Sequence, residues 1–514
     1  MLRLFTFCTF LIAALHAQAV HADDGATPAQ AAGIPLRVMS FNIEWGGAHI
    51  SFDNVVEVVR RSQADVVGIQ EAEGNLPRLA TALGWHYNLR QYVISRFPLA
   101  EPPGVDGKYL FVEVAPGKMV VLANVHLPSD PSGSEAVRDG ADPETVLALE
   151  RQARLPSIQP VLAALQPLIE QHNPVFLTGD FNAPAYTDWT AEMVGSRPFV
   201  RYPLDWPVSR AVAAAGLHDS WREQYPDPLS HPGLTWWAAR PPLPNYTPGA
   251  NDPQDRIDFV WFAGPVTLAS SQIAGEIGAA DVSISVDPWP SDHRGVVSQF
   301  SVVPAPMPRF ANTSQRVYTQ GEEVVIVHHG ALEPESLQAE NLQESGDLVR
   351  ITRLVPGQSA GQVTSVRVSG NAELIYEAAV FPVGHYLLSM GKSVDQLLPQ
   401  NEFWVLPENA EPEVSVDVSV GASRFKTSEP IAVNWSNAPG NRNDYVAIYD
   451  VDKAADNEDI SAWVYTNALP EGQVLCDGQN LQGKWPLPPG NYIVKLMKDD
   501  GYEQMAESSR FTVE

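Results

Sequence analysis

The sequence predicts an α/β layered domain followed by two all-β sandwich domains, and three observations carry that expectation. Apolar, strand-like runs alternate with helical patterns from Ile34 to Val303. The proline-rich Val303-Pro304-Ala305-Pro306-Met307-Pro308 then interrupts the chain. Beyond it helical periodicity almost disappears, and short β-rich runs stand between Pro and Gly turns. A chain of 514 residues also exceeds what one hydrophobic core organises.

Met1-Leu2-Arg3 precedes an apolar run from Leu4 to Leu15, and small residues follow, with a cleavage site after Val20-His21-Ala22 or after Ala17-Gln18-Ala19. This reads as a signal peptide over 1–22, because the run is too short to span a bilayer and no second one follows. The expectation is a secreted or periplasmic protein without a transmembrane segment. Residues 23–33 are small and polar and read as a disordered lead-in. Cleavage removes Cys8 and leaves Cys476 as the one cysteine, so no intramolecular disulfide is expected and a buried free thiol is.

In the layered domain, 34–303, Leu36 to Phe41 reads as a strand, and Ser51 caps a helix carrying Val55, Val56, Val58 and Val59. Asp65 to Ile69, Met119 to Val125 and Val175 to Thr178 are buried strands, and Arg256 to Phe262 and Gly295 to Val303 close the domain as two more. Pro143 to His172 reads as helix broken at Pro156, Pro160 and Pro167.

A linker over 304–309 leads to a sandwich over 310–407, a joint over 408–413 and a second sandwich over 414–514. The two resemble each other. Val317-Tyr318-Thr319-Gln320-Gly321-Glu322-Glu323-Val324 aligns with Phe425-Lys426-Thr427-Ser428-Glu429-Pro430-Ile431 when Thr319 is set on Thr427. Phe381-Pro382-Val383-Gly384-His385-Tyr386 aligns with Leu487-Pro488-Pro489-Gly490-Asn491-Tyr492 at nearly the same offset, the mark of a duplicated module. Trp404, Trp435, Trp463 and Trp485 read as core filling of these sandwiches rather than a sugar platform, and His328-His329 as the end of a strand.

With 33 basic and 61 acidic residues the net charge is −28, and 34–303 holds only Lys108 and Lys118 as lysines. That argues against electrostatic capture of long nucleic acid or of an anionic membrane. An acidic enzyme still acts on an anion when a metal supplies local positive charge.

Polar residues follow the apolar strands, where an open sheet presents its site. Asn42 and Glu44 follow the first strand, Gln70 and Glu71 the second, and Asn124 and His126 the third. Gly179-Asp180-Phe181-Asn182 follows the fourth, Asp258 lies in the fifth, and Ser291-Asp292-His293 precedes the last. Hard oxygen and amide ligands without thiolates suit Mg²⁺, with Mn²⁺ or Ca²⁺ as alternatives, and predict a phosphate ester as substrate. An Asp–His pair serves a positioned water.

Ser40-Phe41-Asn42-Ile43-Glu44, Ile69-Gln70-Glu71, Asn124-Val125-His126-Leu127, Gly179-Asp180-Phe181-Asn182, Arg256-Ile257-Asp258-Phe259 and Ser291-Asp292-His293 together resemble the ordered motifs of the endonuclease/exonuclease/phosphatase superfamily. The resemblance spans Ile34 to Val303. It implies an α+β four-layer sandwich, two packed mixed β-sheets flanked by helices, with a Mg²⁺ site at one edge. It implies Glu71 as principal metal ligand with Asn42 and Asp292 beside it, and His293, oriented by Asp258, at the scissile phosphate. Asp180 and Asn182 resemble the pair that positions the attacking water, His126 a phosphate or leaving-group residue, and Glu44 and Arg256 substrate-binding residues. Asp180 and His293 both stay open as the base. His126 stands where repair nucleases of the superfamily usually have Tyr, which favours the secreted nuclease, sphingomyelinase and phosphatase branches.

The expectation is a secreted, divalent-metal-dependent phosphoesterase that cleaves phosphodiester or phosphomonoester bonds of a nucleic acid, a phospholipid head group or a small organophosphate. Tethering to a surface or polymer through the C-terminal modules is a further expectation. The rival is an inactive binding or adhesion protein that works through its sandwiches. His49, His86, His218 and His231 lack partner spacing, and Trp236 and Trp237, with Thr235 and Tyr246, read as loop packing.

Overall fold

Alternation along the first strand sets the architecture. In β1 (Ile34–Asn42), Leu36, Val38, Ser40 and Asn42 share one face, and Met39 and Phe41 the other. Leu36 and Val38 enter one apolar cluster and Met39 and Phe41 another, so the strand is covered on both sides. The structure is a computed structural model that describes residues 33–244, 249, 251–331, 346–355, 361–368, 370–393, 397, 400–416, 424–453 and 459–514. The predicted signal peptide, all but the last residue of the lead-in, and Tyr246 lie outside the described residues. Residues 33–514 form one compact unit.

The remaining elements of the layered domain are α1 (Phe52–Ser62), β2 (Val66–Gln70), α2 (Leu76–Leu83), β3 (His86–Asn88), β4 (Val93–Ser95), β5 (Leu99–Ala100), β6 (Leu110–Ala115) and β7 (Lys118–His126). Next come α3 (Gly133–Arg138), α4 (Pro143–Ala153), α5 (Leu155–Glu170), β8 (Val175–Asp180), α6 (Pro207–Ala214), β9 (His218–Asp219) and α7 (Ser220–Gln224). The domain ends with β10 (Asp258–Ala263), β11 (Val266–Gly275), β12 (Val282–Ser285), β13 (Gly295–Val302) and β14 (Ala305–Pro306).

Two mixed sheets result, one ordered β12-β11-β13-β1-β2-β4-β3, the other β5-β6-β7-β8-β10-β9 with β14 on β7. Leu36, Val38 and Val66 of the first meet Leu122, Phe176 and Val260 of the second in the inner core. Outside, Met39, Phe41 and Ile69 pack on Val55 and Val58 of α1 and Leu79 of α2, while Val121, Leu177 and Trp261 pack on Ile158 and Leu162 of α5 and Val212 of α6. This is the four-layer sandwich. Ser51 caps α1 as its sequence predicts, its hydroxyl accepting from the Asn54 N–H at 3.2 Å.

Two expectations need correction. The helix expected to break at three prolines breaks once, between α4 and α5; Pro156 opens α5, and Pro160 and Pro167 sit inside it. The prolines lie on the exposed side while Ile158, Leu162 and Leu165 bury, so packing of the apolar face offsets the lost backbone bonds. The expected linker 304–309 is not free either: Ala305 and Pro306 pair with Met119 and Lys118, and Met307 is buried in the outer core.

The first sandwich pairs β15 (Phe310–Thr313) with later strands of one sheet, and β16 (Val317–Thr319) with the last strand of the other. Its remaining strands are β17 (Val324–Ala331), β18 (Asp347–Leu354), β19 (Gly361–Val368), β20 (Gly370–Tyr376), β21 (Gly384–Gly391) and β22 (Asn401–Leu406). The sheets are β15-β17-β20 and β16-β22-β21-β18-β19. The second sandwich has β23 (Glu413–Val416), β24 (Arg424–Phe425), β25 (Ile431–Ser436), β26 (Tyr445–Asp450), β27 (Ala462–Tyr465), β28 (Gly472–Cys476), β29 (Gln482–Gly483), β30 (Gly490–Met497), β31 (Gln504–Glu507) and β32 (Phe511–Val513). Its sheets, β23-β25-β28 and β24-β32-β30-β26-β27-β29 with β31 on β30, repeat the order of the first.

The repeat seen in sequence carries a structural device: the hydroxyls of Tyr386 and Tyr492 donate to the carbonyls of Pro382 and Pro488, a tyrosine corner in each module. Trp435 fills the second core and Trp485 packs against it. Trp404 is buried as expected, whereas Trp463 departs from the expectation of core filling. Trp404 stacks on His385 at 4.2 Å, and Trp463 packs on the outer face beside Tyr445 and Tyr465. His328 and His329 are buried within β17, and His329 Nε2 pairs with Asn312 Oδ1 at 2.8 Å. Cys476 is a buried free thiol. Among the described residues no helix is long and apolar enough to cross a membrane.

Candidate active site

The two-residue period that buries Val38 also delivers Asn42 to the rim of the inner core. The same face of β2 carries Val66 and then Gln70, of β7 Leu122 and then Asn124 and His126, and of β8 Phe176 and then Thr178 and Asp180. Cross-strand register sets His126 beside Asp180 and Asp180 beside Asp258. Apolar residues therefore give way to polar ones at one end of the sheet pair.

Asn42 is the hub. Its Nδ2 donates to Glu71 Oε1 at 2.9 Å and to Asp180 Oδ2 at 3.1 Å, and lies 3.4 Å from His293 Nε2. Its Oδ1 accepts from the Glu44 N–H at 3.0 Å. Glu71 follows β2 with φ 54°, an uncommon conformation for a side chain of its size, and its Oε2 accepts from the Trp45 N–H at 3.0 Å. His293 Nδ1 pairs with Asp258 Oδ2 at 2.9 Å, while its Nε2 lies 3.6 Å from Asp180 Oδ2 and 3.9 Å from Asp292 Oδ1. His126 Nε2 also stands 3.6 Å from Asp180 Oδ2.

A scaffold holds these groups. Ser291 Oγ donates to the Asn42 carbonyl at 2.7 Å and accepts from the His293 N–H at 3.0 Å. Thr235 Oγ1 accepts from the Ile257 and Asp258 N–H groups at 2.9 and 3.1 Å. The Asn182 N–H donates to Asp180 Oδ1 at 2.9 Å and its Nδ2 to the Leu127 carbonyl at 3.0 Å, so it steadies the loop after β8.

The charges are strongly coupled. Burial opposes the His293 imidazolium, but Asp258, Asp180 and Asp292 outweigh it and hold its pKa well above the ordinary 6.5. Burial, then the Asp258 charge, raises the Asp180 pKa above its ordinary value, and burial raises that of Asp292 as well. At Glu71 burial is outweighed by His126, His293 and its hydrogen bonds, and the carboxylate is held below its ordinary pKa.

The residues fit a divalent cation. Asp292 Oδ1 is buried without a hydrogen-bond partner, and Glu71 is a carboxylate held ionised in the same centre. Ligand atoms of Asp180, Asp258 and His293 also lie within 4.8 Å of one another. Glu71 and Asp292 would hold the ion.

Three expected roles change. Asn42 turns a donor nitrogen to the centre and its oxygen away, so it orders carboxylates rather than ligating a metal. Glu44 does not face substrate: it is paired with Arg240, and its Oε2 accepts from the Asp292 N–H at 3.0 Å. Burial, then the Asp292 charge, pushes its pKa up to about 7. Arg256 is 1% exposed and bound by Asp188 at 2.9 Å and Asp219 at 2.7 Å, so its guanidinium is committed to a buried structural ion-pair cluster.

Residues 39–293 match the description of the Endonuclease/Exonuclease/phosphatase family. This segment belongs to that family. The endonuclease/exonuclease/phosphatase segment is therefore a hydrolase of a group that is generally divalent-metal-dependent. The chain is similar to an uncharacterized Caenorhabditis elegans protein, F14F9.5, with 26% identity over 295 residues, 52% of this chain and 92% of that one. It is also similar to the crystal structure of truncated Caenorhabditis elegans TDP2, at 17% identity and a TM-score of 0.32, covering 52% of this chain and 98% of that one. An endonuclease/exonuclease/phosphatase family protein from Bacteroides thetaiotaomicron is similar at 17% identity and a TM-score of 0.29, over 52% and 95% of the two chains.

Trp236, expected as loop packing, donates its Nε1 to Asp292 Oδ2 at 3.4 Å, and Arg240, which the sequence did not single out, is the partner of Glu44. Their nearness in sequence to Asp258 was the one available signal. His49 lies against Trp45, His218 lies 3.9 Å from Glu223, and His231 stacks on Tyr225, all outside the catalytic cluster.

Proposed function

We propose that the protein is an exported phosphoesterase that hydrolyses phosphodiester bonds by in-line attack of water with a divalent metal, Mg²⁺ by the hardness of its ligands. The observation that carries this is the meeting of Glu71, Asp180 and His293 at the Asn42 amide. A bound cation would neutralise charge on the phosphoryl oxygens.

The chain's own groups divide the remaining work. His293 has its Nδ1 engaged by Asp258 and offers Nε2 to a phosphoryl oxygen, where charge builds in the transition state. Asp180 accepts the proton of the attacking water, because the imidazole beside it is held protonated. His126, on the other side of Asp180 and with 22% of its side chain exposed, protonates the leaving oxygen. Export rests on the apolar run Leu4 to Leu15.

The test is turnover of bis(p-nitrophenyl) phosphate by the full chain in Mg²⁺, Mn²⁺ or Ca²⁺, with a chelator control and His293→Ala alongside. Metal-dependent hydrolysis lost in the variant supports the reading. Equal rates in chelator, or in His293→Ala, overturn it.

A further inference from the structure

The cleft beside His126 is not built by the catalytic segment alone. β6 pairs with β7 only as far as Leu122, so the outer edge of β7 beyond it needs other partners. The Asn124 N–H donates to Gln91 Oε1 at 2.8 Å, and the Asn124 carbonyl accepts from Nη1 of Arg442, in the second sandwich, at 2.9 Å. The Asn443 N–H donates to the Tyr92 hydroxyl at 3.3 Å, and the Gly74 N–H donates to Asp499. Two loops of the second sandwich are thus seated on three catalytic segments that end at the rim of the active site.

Between them lies a cavity of about 640 Å³, walled by His126 and Asp130 from the catalytic segment and by Arg442, Trp463, Tyr465 and Asp500 from the sandwich. His126 Nε2 is 3.6 Å from Asp180, so the cavity abuts the catalytic centre. Trp463 and Tyr465 meet edge to face at 4.7 Å. The Tyr465 hydroxyl donates to Asp500 Oδ1 at 2.8 Å, which engages that carboxylate. Arg442 lies within electrostatic reach of that Asp500 carboxylate, and its guanidinium lies 5.8 Å from the centre of the Tyr92 ring. Arg442 thus brings positive charge to the strand that carries His126, in a chain of net charge −28.

We propose that the second sandwich supplies the substrate-binding wall of the active site: Arg442 holds a phosphate oxygen and the Trp463–Tyr465 face holds a planar organic group of a small phosphodiester. A guanidinium fork matches phosphate geometry, aromatic faces stack on planar groups, and the volume is that of a small-molecule site. The inference rests on the phosphoesterase reading and deepens it by assigning the substrate class.

The experiment uses the full chain and its Arg442→Gln, Arg442→Lys, Trp463→Ala and His293→Ala variants, with melting temperature checked for each. Two readouts are taken: KM and kcat on bis(p-nitrophenyl) phosphate, and calorimetric binding of phenylphosphonate, which cannot turn over. Arg442→Gln and Trp463→Ala are expected to raise KM and weaken phenylphosphonate binding by about tenfold to a hundredfold, with kcat changed less and Arg442→Lys intermediate. Unchanged KM and unchanged phosphonate affinity in both variants overturn the inference while the enzyme reading stands. If the parent protein turns over nothing, the enzyme reading falls, and the phosphonate titration alone decides the role of the wall. Should Arg442→Gln unfold, Trp463→Ala decides it.

Discussion

Asp258 Oδ2 lies 2.9 Å from His293 Nδ1, and this contact leaves Nε2 as the ring atom facing Asp180. Replacing the carboxylate by an amide keeps the shape and removes the charge that holds the imidazole protonated. Asp258→Asn is expected to lower kcat/KM by about 10²–10⁴-fold. The folded-state pKa of His293 is raised, so its protonated form is lost only as pH climbs well past 6.5; without Asp258 that loss moves to lower pH. A kcat/KM profile whose high-pH limb does not shift in the variant contradicts this.

His293→Ala removes the group itself. Turnover of bis(p-nitrophenyl) phosphate should fall by about 10²–10⁴-fold or more, with the melting temperature nearly kept.

Glu71 is the carboxylate held ionised at the centre, by His126 and His293 and by hydrogen bonds from Asn42 and the Trp45 N–H. Glu71→Gln keeps the volume and removes the charge. The variant should need much more added metal for half-maximal rate, measured by titrating Mg²⁺ after chelation. A metal titration that superimposes on that of the parent contradicts the assignment.

Gly68 faces the second sheet at close range: a Cβ there would collide with Thr178 Oγ1 and Asn124 Oδ1. Gly68→Ala should destabilise the catalytic segment by about 1–3 kcal/mol or more, read from denaturant unfolding. Thr178 and Asn124 also hydrogen-bond each other at 3.0 Å, so the cost includes a strained buried network.

Burial pushes the Cys476 thiol up to about 12. It should resist a thiol reagent at pH 8 in the native protein and react as the second sandwich unfolds, because the thiolate is the reactive form.

Much of the site was legible because a strand alternates strictly. Once Leu36 and Val38 are placed in a core, Asn42 must share their face, and the same holds for Asn124, His126 and Asp180. The module repeat was legible for a related reason: turn residues such as Pro382, Gly384 and Tyr386 recur as Pro488, Gly490 and Tyr492, and each set builds the same corner. Arg256 misled because an arginine two residues before a buried aspartate looks local, whereas its partners are Asp188 and Asp219 on other elements. The prolines of α5 misled because their cost is judged locally and offset by burial of the opposite face.

By itself the sequence determined the periodicities, and with them which side chains share the inner face of each strand and where apolar character ends. Tertiary structure alone decided what those ends meet: that Asn42 turns its nitrogen rather than its oxygen inward, that Trp236 reaches Asp292, and that Arg442 closes the open edge of β7. The reason is physical. Side-chain period is a property of one strand, but hydrogen-bond partners across sheets and modules depend on register and docking, which short-range sequence pattern does not encode.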